Sequence, residues 1–348
     1  MIHSQFRGLT GGRLFITGHT GFKGSWLGLL ARELGIPTIG FALAPTENSL
    51  FRSLQTASVD ESIIGDIRNT EELTKAVTSS GATTLVHLAA QPLVLDSYKR
   101  PFETFETNVM GTHNVLEVAS RTPSIKTILV ITTDKVYRND NLGRRFIEDD
   151  PLEGSDPYSS SKVGAEAVTK AWQRINETTR GPKVIVARAG NVIGGGDLSK
   201  DRLIPDLIRG SVSGKAVGIR NRDATRPWQH VLDPLMGYLM YLERSLFERV
   251  PRALNFGPLE NSLSVAELLD ISKKYFQVEL RFEPRNEEMK EAIYLDLDST
   301  LAKGSILWSP KWNQETAIEK TFDWWDKVLS KNRSQMEMCK EDIHLYLN

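Results

Sequence analysis

The chain has 348 residues, 40% of them hydrophobic, and its 43 Lys and Arg balance 44 Asp and Glu to a formal net charge of −1. That balance excludes a whole-surface field for nucleic acid or an anionic membrane, and the aromatic content excludes extensive disorder. A lone Cys339 cannot form an internal disulfide, no apolar run approaches the ~20 residues of a membrane span, and residues 1–12 lack a secretory apolar core, so a cytoplasmic protein without membrane or nucleic-acid partners is expected.

The predicted elements alternate in type. Residues 13–17 read as a short strand running into glycines. Residues 24–34 have helical apolar spacing (Trp26, Leu27, Leu30, Leu34) and stop at Gly35. Strands are predicted over 38–42 and 62–65, a helix over 71–80, and a strand over 83–88. A helix over 108–120 leads to a strand over 127–132, and a helix over 159–175 to a strand over 183–187. The β-branched, apolar strands suit a buried parallel sheet. Repeated strand–helix–strand units imply an α/β, Rossmann-type doubly wound sheet.

After Arg188 the pattern changes, with glycine, proline and arginine dense from 190 to 227. Helices are predicted over 231–246, 265–275 and 316–329. The expected division is a dinucleotide-binding domain over 1–187, with 229–254 contributing to it, and a smaller substrate-binding region over 188–348. The boundary is expected to be interleaved.

Gly18-His-Thr-Gly21-Phe-Lys-Gly24 lies between a strand and a helix. Glycines three apart permit a sharp turn and close approach of a pyrophosphate, which the helix N-terminus then binds. Gly18, His19, Thr20, Gly21, Phe22, Lys23 and Gly24 are therefore candidate cofactor contacts. The acidic residue common after the second strand is missing: Phe41-Ala-Leu-Ala-Pro45 has no carboxylate. Asp66 and Ile67, after the third strand, are candidates for the adenine, Asp66 reading equally as a turn residue. Ala89, Ala90 and Gln91 end the next strand and are candidates to pack on the cofactor.

Tyr158 and Lys162 stand four apart on a predicted helix, hence on one face. A lysine there is expected to lower the phenol from its usual ~10 so that it serves as a base. Thr133-Asp134-Lys135 follows the strand over 127–132, where residues face the ligand crevice. A hydroxyl, a carboxyl and an amine in sequence suit polarising an oxygen, giving a proton and taking one. Asn191, Arg202, Leu203, Arg220, Arg226 and His230 are the candidates to hold a nucleoside diphosphate, the arginines because a guanidinium donates to phosphate bidentately. His230 also reads as a packing residue. No His/Cys/carboxylate spacing suggests a metal.

These stretches resemble the extended short-chain dehydrogenase/reductase family, and within it the sugar-nucleotide 4,6-dehydratases of the cytidine-linked type. The resemblance is carried by Thr17-Gly-His-Thr-Gly-Phe-Lys-Gly-Ser-Trp26, His87-Leu-Ala-Ala-Gln-Pro92, Thr107-Asn-Val-Met-Gly-Thr112, Asp156-Pro-Tyr-Ser-Ser-Ser-Lys162, the run from Arg188 to Asp197, and Thr225-Arg-Pro-Trp-Gln-His-Val231. It implies NAD retained through the cycle, a nucleotide-sugar substrate, Thr133, Asp134, Lys135, Tyr158 and Lys162 as catalytic residues, and a homodimer or higher homo-oligomer. The dimer would pair helices over 104–120 and 159–175, with Val109, Leu116 and Val168 serving interface or core. One stretch departs from the family: Arg138-Asn-Asp-Asn-Leu-Gly-Arg-Arg-Phe-Ile-Glu148 replaces a segment usually rich in tryptophan. Two other readings remain open. A 4-epimerase or reductase needs Tyr158 and Lys162 but not Asp134-Lys135, and a non-catalytic dinucleotide sensor needs neither.

Overall fold

The structure is a computed structural model, and it describes residues 5–55, 57–282 and 294–348. Seven strands form its central sheet: β1 (Leu14–Thr17), β2 (Thr38–Ala42), β3 (Glu61–Ile64), β4 (Thr84–His87), β5 (Thr127–Thr133), β6 (Lys183–Ala189) and β7 (Ala253–Phe256). Their order is β7-β6-β5-β4-β1-β2-β3, and every pairing is parallel. The order reverses between β1 and β4, which opens a crevice at the carboxyl ends of those strands. Strands β1, β2, β4 and β5 are buried along their whole length. Strand β3 is exposed, as an edge strand is, and β7 escaped the sequence reading because Ala-Leu-Asn-Phe is short and lacks β-branched residues.

Helices cover both faces. On one lie α1 (Phe22–Glu33) and, further along the chain, helices 232–247, 314–330 and 335–347, burying Trp26, Leu235, Tyr238, Phe322 and Trp324. On the other lie α2 (Thr70–Ser79), α3 (Gly111–Ser120) and α4 (Pro157–Thr179), burying Leu73, Val115 and Leu116. Helix α4 starts two residues earlier than predicted because Asp156 and Ser159 form a capping box and Pro157 suits the first turn. The predicted helix over 108–120 is α3 preceded by a π-turn at Glu106–Met110, which changes the face that Asn108 presents. Leu116 is fully buried in the core, Val168 packs against the same cluster and Val109 packs on Gly164, so all three residues named for a dimer face serve packing within the chain.

The helix Gln335–Leu347 was not anticipated, although Ser334 and Glu337 form a capping box legible as Ser-x-x-Glu. It is clasped by Asp233, whose Oδ1 accepts from the Lys311 amide at 2.6 Å and the Tyr346 hydroxyl at 2.8 Å. Burial pushes Asp233 up to about 7, and does the same to Asp342 on the clasped helix. No helix among the described residues is long and apolar enough to cross a membrane.

A carboxyl whose folded pKa is raised contributes stability present below the unfolded value of ~4 and lost as pH rises through the folded value. The Asp233→Asn/Asp342→Asn variant should therefore gain in Tm relative to the unsubstituted protein as pH rises from about 5 to about 8. A Tm difference flat across that range would show that both carboxyls ionise normally.

Candidate active site

The chain leaves β1 at Gly18 with φ +79°, where a Cβ would lie 2.7 Å from the Ala89 nitrogen. A Cβ on Gly24 would lie 2.2 Å from the Gly18 carbonyl oxygen and 2.6 Å from the His19 Cα. These two glycines permit close packing of loop, helix and sheet. Gly21 differs. It is the N-cap of α1, offers no side-chain acceptor to the first turn, and its Cβ would meet only the Gly18 oxygen at 3.4 Å. Open space above first-turn N–H groups is what a pyrophosphate requires, so the loop fits NAD.

The other loop residues divide by where their side chains go. The His19 imidazole is fully buried against Gly40 with Nε2 2.7 Å from Ser62 Oγ, and burial pushes it down to about 4; its backbone alone borders the loop. The Thr20 hydroxyl donates to the Leu43 carbonyl at 3.0 Å, tying the loop to the end of β2 where the carboxylate is missing. Phe22 reaches toward Gly194. Lys23 is half-buried in the first turn of α1. Asp66 is gripped by Arg68, which donates to its carboxylate at 3.0 and 2.6 Å and holds it below the usual carboxyl range. Ile67 is buried beneath Gly111.

Past β4 a polar network fixes the crevice wall. His87 is buried, with Nδ1 2.7 Å from Thr17 Oγ1 and Nε2 3.0 Å from Thr112 Oγ1, and burial pushes it down to about 3, so it stays neutral. Thr112 donates to the Asn108 carbonyl at 2.6 Å. The Gln91 amide donates to Asn108 Oδ1 at 2.8 Å, and Asn108 Nδ2 donates to the Gln91 carbonyl at 3.0 Å and to Ser161 Oγ at 2.8 Å. Ala89, Ala90 and Gln91 are thereby held against α4. Asn108 and His87 carry this wall. Both fall inside motifs noted in the sequence, yet neither was assigned a role, because only the π-turn and the sheet order bring them together.

The reactive cluster sits where β5 ends. Asp134 is fully buried; its Oδ1 accepts from the Thr133 hydroxyl at 2.9 Å and from Lys135 Nζ at 3.2 Å, while its Oδ2 has no hydrogen-bond partner. Lys135 Nζ also donates to Asn191 Oδ1 at 3.4 Å. A Cβ on Gly190 would lie 3.1 Å from Asp134 Oδ2 and 2.6 Å from Pro227, so only a glycine fits beside this buried oxygen. Tyr158 hydrogen-bonds the Thr133 side chain. Its phenol is not lowered as the Tyr/Lys spacing predicts. Burial pushes it up to about 12, partly offset by the charge of Arg202. Lys162 is itself buried and pushed down to about 8 by that burial, with its Nζ 3.5 Å from the Ile131 carbonyl.

Beneath the cluster a buried ion pair joins α4 to the strands. Glu166 accepts from the Thr132 hydroxyl at 2.6 Å and from Arg188 at 2.8 and 2.9 Å. Arg188 also donates to the Tyr137 hydroxyl and the Glu148 carbonyl, each at 2.8 Å, and Tyr137 donates to Asn255 at 2.7 Å. Tyr137 stacks on Phe146 with centroids 5.1 Å apart. The divergent segment is thus anchored at its far end by groups directly below Thr133.

The expected phosphate ligands scatter. Asn191 and Arg202 are in the crevice, Arg202 holding Asp197 at 3.2 Å, and Leu203 opens the following helix half-buried. Arg226 is buried with Nη1 donating to the Thr225 carbonyl, and Arg220 is exposed near Asp206. His230 is a correction. It is fully buried between Trp26 and Trp312, at 5.9 and 4.7 Å between ring centroids, and cannot touch a ligand. Burial pushes it down to about 3.

Residues 14–257 match the NAD dependent epimerase/dehydratase family. The chain is 39% identical over 348 residues to CDP-glucose 4,6-dehydratase of Salmonella typhimurium, covering 97% of each chain. It is 28% identical over 352 residues to CDP-paratose 2-epimerase of Salmonella typhi, covering 91% of this chain and 100% of the other. The fold is shared with dTDP-glucose 4,6-dehydratase of Bacillus anthracis in complex with NAD, with a TM-score of 0.76 at 23% identity over 92% of this chain and 98% of that one.

The glycines should separate stability from binding. Gly24→Ala clashes with backbone and should lower Tm by several degrees. Gly21→Ala should leave Tm within a degree or two but weaken NAD binding at least about tenfold in calorimetric titration, since its Cβ fills the cradle and little else. Undiminished NAD affinity in Gly21→Ala would place the pyrophosphate elsewhere.

Proposed function

The chain belongs to the NAD dependent epimerase/dehydratase family, and we infer that it dehydrates CDP-glucose to CDP-4-keto-6-deoxyglucose with no net oxidation. The observation that carries this reading is the Asp134–Lys135 pair at the crevice floor beside Tyr158: a dry carboxyl with one oxygen free and an amine 3.2 Å from the other. An epimerase has no use for such a pair.

The Gly18–Gly24 loop would hold NAD at the open N-terminus of α1, where the cofactor would supply the hydride acceptor for C4 and the hydride donor for C6. The chain supplies the protons. Tyr158 removes the C4 hydroxyl proton, with Thr133 positioned to hold the same oxygen. A phenol pushed up to about 12 by burial needs cations to ionise, and Arg202 supplies part of that charge. The C4 ketone acidifies the C5 proton, which Lys135 takes as an amine. Asp134 delivers its proton to the C6 oxygen, and water leaves as the C5–C6 double bond forms; when hydride returns to C6, Lys135 gives its proton back to C5. Asn191, Arg202 and Arg226 are the groups we assign to the diphosphate, with Arg220 at its outer edge.

We also propose a homodimer through the apolar side chains left exposed beside α4, Phe102, Phe105 and Met110, which are 78%, 41% and 52% exposed. Phe102→Asp paired with Met110→Asp should convert a dimer to a monomer in light scattering; an unchanged mass would move the interface elsewhere.

Offered CDP-, UDP- and dTDP-glucose, the protein should turn over the cytidine compound to a product lighter by one water, read by mass spectrometry. A product of unchanged mass would make it an epimerase. Two substitutions should fail at different steps. Tyr158→Phe should leave bound cofactor oxidised on substrate addition. Lys135→Ala should let reduced cofactor accumulate while water loss slows by about 10²–10⁴-fold. Normal turnover in Lys135→Ala would remove Lys135 from the mechanism.

A further inference from the structure

Gln314 opens helix 314–330 and is buried, far along the chain from every reacting group. Its side chain nevertheless ties two other backbone segments together. Oε1 accepts from the Trp228 amide at 3.1 Å and from the Leu263 amide at 3.2 Å, and Nε2 donates to the Asn261 carbonyl at 2.7 Å. Its own amide donates to Glu260 Oε1 at 2.6 Å. A primary amide offers an oxygen with two lone pairs and two N–H donors, so both lone pairs and one donor are used. The side chain is a rung between the antiparallel pair Thr225–Arg226 and Leu263–Ser264 at the point where that pair ends.

The turn held by this rung bears on the reaction crevice. The Trp228 amide also reaches the Arg226 carbonyl at 2.9 Å, closing a tight turn through Pro227. The Cβ position of Gly190 lies 2.6 Å from Pro227 Cγ and 3.1 Å from Asp134 Oδ2, so this glycine adjoins both the proline and the carboxyl. From the same turn the Gln229 amide donates to the Asn191 carbonyl at 3.0 Å, and Gln229 and His230 pair in parallel with Val192 and Ile193. Asn191 Oδ1 in turn accepts from Lys135 Nζ. The turn's own side chains do little to hold it: among the described residues, Trp228 Nε1 and both polar atoms of Gln229 are buried without hydrogen-bond partners. Tyr158 and Thr133 are held from elsewhere, by α4 and by the Glu166–Arg188 pair beneath β5.

We propose that Gln314 is a positioning residue for the elimination: it fixes the Pro227 turn against Gly190 and Asn191, and through them the placement of Asp134 and Lys135. An apolar side chain of similar size takes away the acceptor that Trp228 and Leu263 share and the donor to Asn261, which lets the turn shift relative to Gly190. The effect is selective. Oxidation at C4 depends on Tyr158 and Thr133, which the turn does not hold, whereas elimination depends on the two groups beside it. A displacement of about 1 Å is enough to slow such a step strongly.

The proposal rests on the dehydratase reading, so its test includes a measurement that needs no turnover. In NAD-loaded enzyme, hydrogen exchange read by mass spectrometry on a peptide covering residues 225–231 should be about tenfold faster in Gln314→Met than in the unsubstituted protein. With CDP-glucose, Gln314→Met should reduce its bound cofactor at the normal rate while water loss slows about tenfold, so that reduced cofactor accumulates. Gln314→Glu keeps an acceptor for both amides and loses only the donor to Asn261; it should keep the step balance of the unsubstituted enzyme even where Tm falls. Should Gln314→Met not fold, Gln314→Asn, whose shorter side chain cannot span its partners, is expected to show the same exchange and the same accumulation. Unchanged exchange or an unchanged step balance in the variant that folds would overturn the proposal. So would an equal loss in both steps, or reduced cofactor accumulating equally in Gln314→Glu, since either marks a role in stability alone. Failure of the unsubstituted enzyme to dehydrate CDP-glucose would sink the dehydratase reading and leave the exchange result standing.

Discussion

The buried pair between Glu166 and Arg188 is the interaction on which the rest of the site depends. Their side chains are 7% and 6% exposed, and nearly every donor and acceptor on them is used. Such a pair adds little net stability against an apolar equivalent, but loss of one partner leaves an uncompensated charge at a cost of about 3–5 kcal/mol. What it confers is position. Glu166 stands one turn beyond Lys162 on α4 and grips Thr132, the residue before Thr133. Arg188 reaches the Tyr137 side and the last residue of the divergent segment. Helix, strand ends and strap are thus locked to one another just below the reacting groups.

On that foundation the crevice concentrates positive charge. Parallel strands that all end at one edge bring residues distant in sequence to the same place, and here they bring Lys135 beside Asp134 and Asn191, with Lys162 behind them on α4. Such a site is electrostatically costly when empty. It is suited to a ligand bearing a diphosphate, and to a reaction in which protons must leave groups that ordinarily keep them. The high phenol and the depressed Lys162 are two expressions of the same burial.

Much of this was legible in sequence. The glycine spacing marked the loop, and β-branched runs marked six of the seven strands. Thr133, Asp134, Lys135, Tyr158 and Lys162 were recognised as a set because each lies at a strand end or on one helix face. His230 was read both as a ligand and as a packing residue, and the rings of Trp26 and Trp312 around it favour the second. The direction of the Tyr158 shift was also misjudged. Spacing showed a cation nearby, but the depth of burial that outweighs it is a property of the assembled site.

The sequence by itself determined the local elements, because periodicity, capping residues and glycines act over a few residues. It also marked the candidate groups, since their chemistry is intrinsic to them. Tertiary structure alone decided which side chains meet. Gly21 is open while Gly24 is packed, His19 points into the core while the Thr20 hydroxyl ties the loop to β2, and Asn108 reaches Gln91 and Ser161 only through a π-turn. These outcomes are set by solvent exclusion and by contacts between residues as far apart as Tyr137 and Asn255, and no local pattern encodes them.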